Sequence, residues 1–81
     1  MRLHPHARSR MQERGATEEE VEGTIRDGER FSVKFGRQGF RRNVAFGGVW
    51  RGRRYPMKQI EAIAIQEEGD WLVISVIVKY F

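Results

Sequence analysis

The hydrophobic residues of this chain change their spacing at Gly28, and that change limits what it can fold into. Before Gly28 they fall three or four residues apart, the spacing of a helix face. After it they alternate or run together, as in strands. Helices followed by strands on short turns read as an α+β fold, two N-terminal helices packed on one face of a three- to five-stranded, mainly antiparallel twisted sheet. A chain of 81 residues can bury one core and not two, so residues 1–81 read as one domain, helical over 1–28 and β over 29–81.

Local signals sharpen this outline. Pro5 suits a first helical turn, His6 to Arg14 contains good helix formers, and Gly15 is a natural stop; Leu3, Ala7 and Met11 form a thin apolar stripe. Thr17 opens a second helix, with Glu20 placed to complete a capping box and Glu18 and Glu19 suited to the positive end of the helix dipole. Val21 and Ile25 give that helix an apolar edge, and Gly28 ends it. Phe31, Val33 and Phe35 then alternate as a strand, Gly36 to Gly39 supplies a turn, and Phe40 to Phe46 returns until Gly47 and Gly48 break it. Gly52 and Pro56 argue against a long central strand over 49–56. Lys58 to Glu67 and Trp71 to Phe81 read as a hairpin joined at Glu68, Gly69 and Asp70. Its second strand, apolar on both faces, is expected at the sheet centre.

Charge is segregated along the chain. Between Arg30 and Lys58 lie the bases Arg30, Lys34, Arg37, Arg41, Arg42, Arg51, Arg53, Arg54 and Lys58, with no acid among them. All 11 acids lie outside that stretch, and the net charge is +4. Arginine predominates over lysine, and its planar fork suits bidentate contact with phosphate. A solvated surface is the plain alternative, but solubility favours mixed signs, so a polyanion, RNA above all, is the expected partner. Trp50 and Tyr55 among Arg51, Arg53 and Arg54 add aromatic faces of the kind that stack on unpaired bases, while Phe40 reads as core. Arg37, Arg41 and Arg42 complete the expected nucleic-acid-binding set.

Other chemistry is sparse. Without cysteine there is neither disulfide nor thiolate ligation, which favours a reducing cytoplasm, and no apolar run is long enough to span a bilayer. The only histidines, His4 and His6, flank Pro5 and make a poor metal pair, so no metal or other cofactor is expected. His6, Arg10 and Arg14 recur every four residues and line one stripe of the first helix. That stripe is either an exposed polar face or a row in which His6 moves protons and the arginines hold a phosphate. RNA cleavage can use the substrate's own 2′-hydroxyl as nucleophile, leaving such residues, with Lys58 and Tyr80 as lesser candidates, to supply proton transfer and cationic stabilisation. The glycine-rich GRQGF and FGGVWRG match no phosphate loop and read as hairpin turns.

The run His6-Ala7-Arg8-Ser9-Arg10-Met11, then Glu13-Arg14-Gly15, Thr17 to Val21 and Asp27-Gly28-Glu29, resembles the bacterial domain-of-unknown-function family 4258. So does the tail, where Gly52-Arg53-Arg54-Tyr55 leads into two apolar strands split by Glu67-Glu68-Gly69-Asp70. That family is similar to small RNase toxins of the RelE, barnase and colicin type. The resemblance implies metal-independent RNA cleavage or a relic of it, pairing with an antitoxin, and functional roles at His6, Arg10 and Arg14. Residues 40–50 are longer and more basic than the family pattern. The expectation is thus an endoribonuclease of the toxin type; the alternatives are a non-catalytic RNA-binding or ribosome-associated module, or a basic domain that docks on an acidic protein. Oligomeric state is not legible.

Overall fold

A computed structural model describes all 81 residues. The elements run β1 (Arg2–Leu3), α1 (Pro5–Arg14), α2 (Glu18–Asp27), β2 (Glu29–Ser32), β3 (Gln38–Trp50), β4 (Arg53–Glu67) and β5 (Asp70–Tyr80). One five-stranded sheet has the order β1-β5-β4-β3-β2, antiparallel throughout except for the parallel β1–β5 pair. The architecture is α+β with both helices N-terminal, as the change of spacing at Gly28 requires.

Both helices begin and end where their capping residues put them. His4 caps α1 by accepting the His6 N–H on Nδ1 at 3.1 Å. Gly15 closes the helix at φ 78°, a conformation glycine adopts without strain, and donates its N–H to the Met11 carbonyl. In α2 the full capping box is present: Thr17 Oγ1 accepts the Glu20 N–H at 3.1 Å, and the Glu20 carboxylate accepts the Thr17 N–H at 2.9 Å. Ala7 and Met11 of α1 and Val21 of α2 join Phe40, Ile60, Ala62, Ala64, Val73 and Val76 of the sheet in one core. Ala62 and Ala64 keep the middle of β4 low where the helices lie over it.

The strands depart from the sequence reading in four places. The centre of the sheet is β4, not the C-terminal strand, which has only the two residues of β1 on its far side. The continuous apolar run of β5 has another cause. Ser75 pairs with Ile63 and Val73 with Ala64, so Ile74 is bulged and the strand changes face, burying Val73 and Val76 three residues apart. Gly47 and Gly48 do not end β3, which passes through a bulge between Ala45 and Gly48 and continues to Trp50. Pro56 lies opposite that bulge with no ladder partner, since Tyr55 pairs with Gly48 and Met57 with Ala45; its missing N–H therefore costs nothing, and β4 runs straight through it. Finally, β2 stops at Ser32. Phe35 leaves the strand at φ 65° and exposes 87% of its surface in the β2–β3 turn.

The other two turns are tight. Arg51 and Gly52 (φ 50° and 81°) join β3 to β4, and Glu68 and Gly69 (φ 53° and 76°) join β4 to β5; paired positive φ values match the right-handed strand twist. The edge of β5 is covered. The His4 N–H donates to the Val73 carbonyl at 2.9 Å, and Arg14 Nη1 donates to the Val76 carbonyl at 2.6 Å.

Candidate nucleic-acid interface

Folding sorts the acid-free stretch into partnered and unpartnered charge. The acids of α2 and β2 lie against its middle: Arg41 Nε is 3.5 Å from Glu29, Arg42 Nη1 is 4.0 Å from Asp27, and Lys58 Nζ is 2.8 Å from Glu20. Arg30 lies over the rings of Phe40 and Trp71, 5.2 and 5.7 Å from their centroids. Arg30 has no carboxylate partner, and neither do five further bases, which gather at the two ends of β3: Lys34 and Arg37 in the β2–β3 turn, and Arg51, Arg53 and Arg54 at the β3–β4 tip. All five are exposed.

The β3–β4 tip is an aromatic stack edged with guanidinium groups. Trp50 stacks on Tyr80 with centroids 4.8 Å apart and planes 14° from parallel, and Phe46 and Tyr55 meet Tyr80 at 5.1 and 5.7 Å. Arg51 lies over Trp50 at 5.4 Å and Arg53 over Tyr55 at 5.5 Å, while Arg54 Nη1 donates to the Gly47 carbonyl at 3.2 Å. Trp50 and Tyr55 are half-buried rather than fully exposed, because Tyr80 holds them. A cavity of about 220 Å³ lies beside the stack, lined by Arg14, Trp50, Arg51, Val78 and Tyr80.

A larger cavity, about 570 Å³, opens between the start of α1 and the β2–β3 turn. Its polar lining is His4, His6, Arg37 and Ser75. Val33, Ile63 and Ile74 supply the apolar part.

The stripe His6, Arg10 and Arg14 therefore does not converge on one site. Eight residues of helix, about 12 Å of rise, separate His6 in the large cavity from Arg14 in the small one. Arg10 pairs with Glu13 at 3.0 Å, and Arg14 is held by the edge of β5. Lys58 donates to the Gly15 carbonyl and to Glu20, both at 2.8 Å, and is nearly buried. Burial of Glu20 opposes its ionisation, but hydrogen bonds from Lys58 and Thr17 outweigh it and hold the carboxyl below its ordinary value. The Tyr80 hydroxyl donates to the Arg14 carbonyl at 2.7 Å, and burial, with the nearby Glu20 charge, pushes its pKa up. Lys58 and Tyr80 thus fasten the end of α1 to the sheet.

Comparison with family models, with curated proteins and with solved structures finds no match.

No three His, Asp or Glu side chains gather where they would hold a metal ion, and no helix is long and apolar enough to cross a membrane. Two features escaped the sequence reading: the cavity shared by His4, Ser75 and Arg37, whose residues lie up to 71 apart in the chain, and the exposed Phe35. The alternation through Phe31, Val33 and Phe35 concealed the second. Nothing local signals the first.

Proposed function

We propose that this chain binds single-stranded RNA through the β3–β4 tip, with Arg51, Arg53 and Arg54 on the phosphate backbone and the edges of Trp50 and Tyr55 offered to bases. The observation that carries this reading is the unpartnered cationic cluster around an aromatic stack: arginines that no carboxylate neutralises remain available to phosphates, and rings already held in place lose little freedom when a base joins them. Arg41 and Arg42, already facing acids, contribute less. A cytoplasmic setting goes with this reading, as does the likeness of the helix-one pattern to family 4258.

Binding of a labelled single-stranded RNA across a salt series tests it. Replacing Arg51, Arg53 and Arg54 together with glutamate should abolish retention while leaving the melting temperature near that of the parent. If neutral side chains are used instead, the slope of log affinity on log salt should fall by roughly two, three phosphate contacts at about 0.7 each. Unchanged binding would show that the tip does not hold the RNA, and competition by an acidic peptide with the same slope would favour a protein partner such as an antitoxin.

A second reading, metal-independent endoribonuclease, is supported by the large cavity, where His6 shares a wall with His4 and Arg37. In it the 2′-hydroxyl of the RNA attacks the adjacent phosphorus, the bond to the 5′-oxygen of the next nucleotide breaks, and a 2′,3′-cyclic phosphate is left; His6 takes the 2′-hydroxyl proton and returns it to the departing 5′-oxygen, and Arg37 stabilises the crowded phosphate, while Arg10 and Arg14 lie too far along α1 to share the task. Cleavage in EDTA by the parent and not by the His6→Ala protein is the expected outcome, and RNA that is bound but intact would leave the chain a binding module.

A further inference from the structure

We infer that the cavity between the start of α1 and the β2–β3 turn is a binding site for a single nucleotide unit, an inference that rests on the RNA reading above. Its volume, about 570 Å³, lies within the range of small-molecule sites and far exceeds what a bare phosphate fills. Its lining contains two imidazoles, a guanidinium and a hydroxyl and no carboxylate, so the favoured ligand is anionic. Arg37 is exposed in a turn and makes no ion pair, leaving its fork free for phosphate. His4 is oriented by the helix it caps. Because its Nδ1 accepts the His6 N–H at 3.1 Å, the proton of the neutral ring is on Nε2, which is the nitrogen left to donate to a ligand.

The apolar part of the lining suits a base and ribose. Ile63 and Val33 come from β4 and the β2–β3 turn, and Ile74 is the bulged residue of β5, displaced from the alternation that buries its neighbour Val73. Bulges re-aim side chains in this way beside functional sites. The same turn carries Phe35, an exposed ring at positive φ that packing does not explain, and it gives an overhanging base an aromatic face to stack on.

The test is a backbone-amide NMR titration with uridine 3′-monophosphate, inorganic phosphate, uridine and a short single-stranded RNA. Uridine 3′-monophosphate should shift His6, Arg37 and Ser75 saturably, with inorganic phosphate and uridine each binding at least tenfold more weakly. Arg37→Ala, in an exposed turn, should weaken the nucleotide about tenfold without changing the fold. The glutamate variant of Arg51, Arg53 and Arg54 should lose RNA yet keep the nucleotide shifts, so loss of the tip reading and loss of this site are separable. Shifts confined to residues 50–55, or inorganic phosphate binding as tightly as the nucleotide, would overturn the inference. Cavity shifts with both nucleotide and RNA support a site that serves the strand, whereas response to the free nucleotide alone overturns its link to RNA.

Discussion

Lys58 closes the acid-free stretch, yet only 5% of its surface is exposed, and its ammonium joins the Gly15 carbonyl at the end of α1 to Glu20 in α2. A buried charge with both partners in place is costly to disturb from one side. Lys58→Ala should therefore lower stability by about 3 kcal/mol, read as a fall in the denaturant midpoint, because Glu20 is left without its cation. Glu20 also sets a pH dependence. Its folded pKa is depressed, so its stabilisation is present above the unfolded value near 4.5 and is lost as pH falls through the lower folded value. Glu20→Gln should accordingly reduce the parent's loss of melting temperature on going to acid, and an unaltered acid limb would show that the coupling does not act. Gly15 is constrained twice: at φ 78°, with a Cβ placed 2.5 Å from the Tyr80 hydroxyl and 2.8 Å from the Trp50 ring. Gly15→Ala should both destabilise the domain and disturb the aromatic stack, visible as a changed tryptophan emission.

At the scale of elements, α2 is the best specified. Its cap, its acidic first turn and its Gly28 stop all lie within a dozen residues of each other and need nothing else of the fold. Thr17→Ala should cost about 1 kcal/mol by thermal or chemical melting. The strands are specified differently. A glycine pair in β3 and a proline in β4 read as strand breakers one at a time, but they face each other across the bulge between Ala45 and Gly48, where one strand needs slack and the other has no hydrogen bond to make. Pairing cancels two signals that each oppose a strand. No window on the local sequence contains both.

For the whole molecule, the 13 residues of β3 separate the two unpartnered basic ends, so the protein presents a cationic tip and a separate cavity rather than one continuous basic face. The core between them is small, nine buried apolar side chains spread over both helices and three strands. A domain with so little buried surface tolerates a buried polar group only where, as at Lys58, partners are in place. Val76, fully buried where β5 meets α1, is the place to test this: Val76→Asp should abolish the cooperative melt, and a transition near that of the parent would mean that the core does not depend on β5.

The helices before the strands, both helix boundaries, the turn at Glu68 and Gly69 and the burial of Phe40 were all written in residues within a few positions of one another, because caps, periodicity and turn chemistry are short-range; Leu3, read with the helix-one stripe, lies instead in β1, which needs β5 as its partner. Which strand is central, and which arginines keep a free charge, depended on contacts the chain makes only when folded. Arg41, Arg42 and Lys58 look alike with Arg51, Arg53 and Arg54 in sequence; the first three lose their availability because α2 and the start of β2 bring Asp27, Glu29 and Glu20 against them. His6 and Arg14 share a helical stripe but not a site, since about 12 Å of helix puts them in different cavities, and His6 finds Arg37 and Ser75 only because β2, β5 and α1 converge there. Electrostatic pairing and cavity formation act through space, over separations that no local pattern encodes.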